Sequence, residues 1–136
     1  MSNEQRDAFL RETRIATLVT LDNDGSPVPV PVWFEWDGQQ ARLFTSRGSH
    51  KIARIRGDAR VSLSVAEPVG VPEAWVSIEG TATVEQDGGY ALAERLARRY
   101  YSAEKAADVL PRWERLAEQW VVVVIEPRRI RSSAPE

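Results

Sequence analysis

Proline alternates with valine through Pro27-Val28-Pro29-Val30-Pro31-Val32, and no other stretch restricts the fold as tightly. A period of two is strand spacing, which puts the three valines on one face. Each proline removes a backbone donor, so a regular central strand is excluded. The segment must lie at a sheet edge, or run where something other than a strand faces its backbone. It continues through Trp33-Phe34-Glu35-Trp36 until Asp37-Gly38 turns the chain.

The remaining residues supply strands to flank this edge. Ser2-Asn3-Glu4-Gln5 has the form of a capping box and opens a short helix to about Glu12, anchored by Phe9. Apolar runs at 15–21, 41–45, 60–65, 75–84 and 121–125 read as strands, with Asn23-Asp24-Gly25 as a turn and Gly80 as a candidate bulge. Counting the two halves of the proline run separately, Ala41 to Thr45 is the fourth extended segment. Ser49 to Arg56 reads as a helix with Ile52 and Ile55 inward, stopped by Gly57. Gly88-Gly89 opens another, in which Leu92, Leu96 and Tyr100 share a face. Ser102 caps a fourth, which is expected to break or kink at Pro111; Val109, Trp113, Leu116 and Trp120 then recur at helical spacing, and Trp113 and Trp120 read as core. The tail from Arg128 to Glu136 reads as polar.

No βαβ repetition is present, so a parallel sheet is not expected. The order fits a mainly β fold, antiparallel strands closed into a small barrel with peripheral helices. The 136 residues suffice for one domain with a modest core and are too few for two, so residues 1–136 are expected to form a single unit. In that barrel the Val28, Val30 and Val32 row is expected to face the interior.

Composition removes several classes of chemistry. There is no cysteine and a single histidine, His50, which excludes disulfides, thiolate catalysis and a multi-histidine metal cage. A net charge of −2, from 18 basic and 20 acidic side chains, points to neither nucleic acid nor an anionic membrane as partner. Met1 to Arg14 is polar rather than a signal peptide, and the run Trp120 to Ile125 is too short to span a bilayer. A cytoplasmic protein is expected.

One segment concentrates features of a ligand site. Leu43-Phe44-Thr45-Ser46-Arg47-Gly48-Ser49-His50-Lys51 passes from strand through a loop of hydroxyls and glycine into a helix N-terminus. Ser49 is a suitable N-cap, and the free N–H groups of the first turn face one spot flanked by Thr45, Ser46, Arg47 and Lys51. A phosphate requires this combination. A capped helix with solvated charges would use the same residues.

The longer block from Leu43 through Ile52-Ala53-Arg54-Ile55-Arg56-Gly57-Asp58-Ala59-Arg60-Val61-Ser62-Leu63 resembles the central part of the pyridoxamine 5'-phosphate oxidase-like, flavin-binding split β-barrels. The similarity extends upstream to Ile15-Ala16-Thr17-Leu18 and downstream to Val76-Ser77-Ile78-Glu79-Gly80-Thr81-Ala82, and within the family it is nearest to the short deazaflavin-using branch. The resemblance implies a six-stranded split barrel working as a homodimer, with cofactor sites at the subunit interface. It implies that Phe44, Thr45, Ser46, Arg47, Ser49, His50 and Lys51 surround the cofactor phosphate, with Lys51 the foremost anion ligand. Val30, Pro31, Val32 and Trp33 would run beside the ring, with the N–H groups of Val30, Val32 and Trp33 as donors. Trp75 would approach from the partner subunit. The implied cofactor is a deazaflavin coenzyme (F-420) or FMN, and the implied activity is hydride transfer to or from a small organic substrate, with no catalytic side chain of its own.

The departures are also informative. Pyridoxamine phosphate oxidases carry an arginine and a lysine at the ends of the strand corresponding to Pro29 through Phe34, where this chain has proline and phenylalanine. They also use a C-terminal tryptophan and arginine, and no tryptophan follows Trp120 here. Both differences argue against formation of pyridoxal phosphate, and Arg47, Arg54 and Arg56 suit the longer anionic tail of a deazaflavin coenzyme. A flavin store or redox sensor without turnover is a second reading. A haem-binding barrel is a third, disfavoured because His50 is the only candidate axial ligand.

Overall fold

A computed structural model describes residues 1–135. The capping box forms as expected: the Gln5 N–H donates to Ser2 Oγ at 3.1 Å, and the Ser2 N–H donates to Gln5 Oε1 at 2.8 Å. They start helix α1 (Asn3–Arg11), which buries Phe9 and Leu10. Strands β1 (Ala16–Leu21), β2 (Pro27–Val32), β3 (Glu35–Trp36) and β4 (Ala41–Ser46) follow, then α2 (His50–Gly57), β5 (Arg60–Ala66) and β6 (Trp75–Glu85). Helices α3 (Gly89–Tyr100) and α4 (Ala103–Arg115) precede the last strand, β7 (Trp120–Ser133).

The strands form one antiparallel sheet in the order β2-β1-β5-β6-β7-β4-β3. The proline strand is therefore an edge. The opposite edge is β3, and only Trp33 and Phe34 separate the two edges in sequence. A two-residue connection between the ends of a seven-stranded sheet requires the sheet to curl until its edges meet. The fold is mainly β, a curled antiparallel sheet of split-barrel form with helices at its periphery.

The strand count is seven instead of the six that the resemblance implied; the two halves of the proline run are β2 and β3, divided at Trp33-Phe34. β7 is also longer than expected. Its segment after Glu126 pairs with β6 out to Trp75↔Ser133, so the polar stretch from Arg128 to Ser133 is strand. Pairing there rests on the backbone, while its arginines stay exposed, which hides the strand from a hydrophobicity pattern. Glu136, the last residue of that expected tail, lies outside the described residues.

Packing explains the apolar run at 121–125. Val121, Val123 and Ile125 face the barrel interior with Leu18, Leu43, Leu63 and Ile78. Val122 and Val124 face outward against Leu92 and Leu96 of α3. A strand covered on both faces needs apolar residues at every position. Burying each such side chain contributes about 1.5–3 kcal/mol. α3 can lie this close because Gly89 has no Cβ; one added there would overlap the Trp120 carbonyl.

The fourth helix, α4, differs in part from its reading in the sequence. α4 runs through Pro111 without a break and continues to Arg115, although the proline leaves the Ala107 carbonyl without the bond that an N–H at position 111 would give it. Of the helical stripe, Val109 is buried, whereas Trp113 is half-buried against it, Leu116 is 53% exposed and Trp120 begins β7. The valine row of β2 is half-buried rather than fully interior. Val30 and Val32 pack against the core from an edge that no further strand covers, and the prolines point to solvent.

Candidate functional site

The register of β2 decides where its donors go. Leu18 pairs with Val30, Thr20 with Val28 and Ala16 with Val32, while Pro27, Pro29 and Pro31 alternate between them. In an antiparallel ladder every second pair exchanges both N–H···O bonds. Proline cannot donate, so the exchanging pairs are those of the valines. The N–H groups of Val30 and Val32 thus point at β1, and the free edge of β2 carries only proline residues. This corrects the expectation that those two amides could donate to a ring. Of the three nominated, only the Trp33 N–H keeps the outward register.

Where the two sheet edges meet, a cleft of about 470 Å³ opens. Pro31, Val32 and Trp33 line it from the end of β2, Ile15 from the residue before β1, Phe44 from β4, Lys51 from α2 and Trp113 from α4. That volume is within the range of small-molecule sites. Its walls are apolar and aromatic, and Lys51 is the one ionisable group on them.

The aromatic wall is rigidly supported. Trp33 stacks on Tyr100, with ring centroids 4.9 Å apart at an interplanar angle of 9°, and meets Tyr101 edge-on at 4.7 Å. Phe44 contacts Trp113 at 5.8 Å and Trp120 at 5.8 Å. Tyr100 also fixes the backbone at the seam. Its O–H donates to the Arg14 carbonyl at 2.7 Å, and its oxygen accepts the Phe34 N–H at 3.3 Å. Burial raises the pKa of this phenol, which keeps it a donor. On the outer side, Arg95 of α3 holds Glu35 of β3 through two bonds of 2.8 and 3.0 Å.

Lys51 is half-buried and makes no hydrogen bond or ion pair with any of the described residues. Burial lowers its pKa, and the nearby positive charge of Arg54 lowers it further. Both causes disfavour a charged ammonium, and both would be relieved by an anion in the cleft. Ser49 occupies the N-cap position of α2, yet its hydroxyl caps nothing; it accepts instead from Thr45 Oγ1 at 3.1 Å. The first-turn N–H groups of α2 therefore keep their capacity for an external acceptor.

The other nominated residues are distributed unevenly. Thr45 is buried, at 8% exposure, and Ser46 closes β4, its carbonyl accepting the Ser49 N–H at 3.0 Å. His50 opens α2 and is exposed. Arg47 turns away from the cleft: its guanidinium donates to the Glu118 carbonyl at 2.9 Å and to Gln86. Arg54 donates to Thr20 Oγ1 at 2.7 Å, which ties α2 to β1, while Arg56 is exposed. Val30 packs inward beside the cleft. Trp75 begins β6 opposite Ser133 and does not line the cleft.

Sequence reasoning missed Ile15, Trp113, Tyr100 and Tyr101. Ile15 was merged into β1, where its position just outside the strand leaves it 53% exposed. The tyrosine pair at the end of α3 carried a signal, since two adjacent phenols cannot share one buried helix face. Among the described residues there is no group of acidic or histidine side chains suited to a metal, and no helix is long and apolar enough to cross a membrane.

Residues 2–134 match the family model for pyridoxamine 5'-phosphate oxidase. Over 82 residues the chain is 40% identical to a biliverdin reductase of Mycobacterium tuberculosis (strain CDC 1551 / Oshkosh) that depends on reduced coenzyme F-420. That alignment takes in 59% of this chain and 57% of the relative, so the chain spans little more than half the length of the curated protein it matches. A conserved hypothetical protein of the same species superposes with a TM-score of 0.82 at 28% identity, covering 98% of this chain and 85% of its own. A solved F-420 reductase gives a TM-score of 0.73 at 22% identity over 92% and 94% of the two chains, a likeness of fold.

Proposed function

Because the chain belongs to the pyridoxamine 5'-phosphate oxidase family, we propose that it is an oxidoreductase that binds a deazaflavin coenzyme, F-420, or FMN in the cleft at the barrel seam. The observation that carries this reading is Lys51: a half-buried cation without an anion partner among the described residues, on the wall of an otherwise apolar cleft. The residues fit such a cofactor. A flat conjugated ring suits walls made by Pro31, Val32, Trp33, Phe44 and Trp113, and an anionic group suits Lys51 beside the uncapped start of α2.

Bound there, the cofactor would supply the hydride chemistry. The chain's own part is to hold and to exclude. Lys51 and the α2 amides fix the anionic end, with Thr45, Ser46, Ser49 and His50 around it. Trp33, held by Tyr100 and Tyr101, keeps one wall flat and dry. In this reading hydride transfer asks no general acid or base of the chain, whose part is positioning. In this reading the working form is a homodimer, with Trp75 of the second copy closing the open side. Residues 1–136 act as one unit.

Titration of the apoprotein with coenzyme F-420 and with FMN, followed by tryptophan fluorescence, tests the reading. Saturable quenching is expected, since Trp33 and Trp113 line the cleft. Turnover with reduced coenzyme then separates an enzyme from a flavin store or sensor, and biliverdin, named for the relative, is the first acceptor to try. Absence of binding by both cofactors would overturn the proposal.

A further inference from the structure

The prolines of β2 do more than mark an edge. The valine amides are bonded to β1, so the outward side of the strand presents the carbonyls of Pro27, Pro29 and Pro31 and not one N–H. Pro31 is exposed and lines the cleft. The next outward amide belongs to Trp33, two positions further along.

A flavin and a 5-deazaflavin differ at one atom of the central ring. The flavin has N5, an in-plane acceptor that loses a partner if it leaves water for a wall without donors. The deazaflavin has C5–H, which accepts nothing and donates weakly toward carbonyl oxygens. A donor-free edge therefore discriminates against the acceptor and is indifferent to the carbon. An unmet polar group costs more than a missing apolar contact, so the discrimination acts by rejection.

Resting on the cofactor reading above, we propose that Pro31 is a specificity-determining residue: by denying the strand edge a backbone N–H at its own position, it selects a 5-deazaflavin over a flavin. The selection comes from the main chain and is set by a residue type, so a single substitution can undo it.

FMN and 5-deaza-FMN are the probes, since they share phosphate and ribityl chain and differ only at position 5. Fluorescence titration gives the ratio of their dissociation constants for the wild-type protein and for Pro31→Ala, which restores an N–H in the outward register. The wild type should bind 5-deaza-FMN at least as tightly as FMN. Pro31→Ala should shift the ratio toward FMN by about fivefold, the factor one neutral hydrogen bond supplies. Pro27→Ala, which adds an amide at the far end of the strand, should leave the ratio unchanged. Any loss of strand rigidity weakens both ligands alike and cancels in the ratio. The wild-type comparison stands even if a variant fails to fold. A wild type that prefers FMN, or a ratio that Pro31→Ala leaves unaltered, overturns the selection while leaving the cofactor site intact. Failure of both probes to bind overturns the selection and the site together.

Discussion

Lys51 and Tyr100 are the two side chains on which the site depends most, and they act in opposite ways. Lys51 has no partner among the described residues, and its pKa lies below the ordinary lysine value because burial and Arg54 disfavour its charge. The folded chain thus releases this proton at lower pH than the unfolded chain. The burial penalty is present below the lowered pKa and vanishes as pH rises toward the unfolded value. Anion binding reverses the preference, because the charged form is the one that binds. Cofactor affinity should therefore be constant near neutrality and fall as the pH rises, at lower pH than an unperturbed lysine would require. Titrations from neutral to alkaline pH check this, with Lys51→Ala expected to show no such fall. Tyr100, by contrast, is fully engaged between Arg14 and Phe34. Tyr100→Phe removes one donor and one acceptor at the seam and should cost about 1–3 kcal/mol in denaturant unfolding. At this scale the sequence revealed Lys51, through its place after a strand, a hydroxyl loop and an N-cap. It concealed Tyr100, whose helical spacing suits a core residue equally well.

Among the elements, β2 and the first half of β7 were legible and the second half of β7 was not, for reasons of chemistry. Proline removes a specific bond, so its alternation translates directly into an edge position. The second half of β7 pairs through its backbone and exposes its arginines, and nothing in side-chain polarity reports backbone pairing. The same limit hid the use of the valine amides, which became visible only with the register. Gly80 shows the opposite case. The bulge expected there is present as a register shift between Glu79 and Gly80, and a Cβ at Gly80 would overlap the Glu126 carbonyl of the neighbouring strand. Because backbone rather than a flexible side chain blocks the space, Gly80→Ala should destabilise the fold by about 1–3 kcal/mol. Chemical denaturation measures this, and a neutral effect would mean that β6 and β7 separate easily at this point.

For the molecule as a whole, the two-residue link between the sheet's edges turns a local sequence rule into a site. The proline strand cannot pair outward, the sheet curls to bring β3 toward it, and the seam becomes a cleft with one cation. Length and the order of elements were enough to anticipate one antiparallel barrel with peripheral helices, and the family resemblance supplied its split-barrel form. The identity of the residues on the α4 side was not, because a helical stripe with Trp113 reads the same whether it faces core or cleft. The open side of the cleft, with Ile15 exposed at its rim, is where a second copy is proposed to sit. Light scattering should therefore give twice the 15.3 kDa chain mass; a monomer that still binds cofactor would remove the second copy from the site. The most direct measurement is a paired titration of wild-type protein and Lys51→Ala with coenzyme F-420, read by tryptophan fluorescence. A weakening of tenfold or more, about 1.4 kcal/mol, with folding unchanged, is the result the account predicts. Equal affinity for both proteins would contradict it, and would return Lys51 to the status of a solvated lysine on a helix.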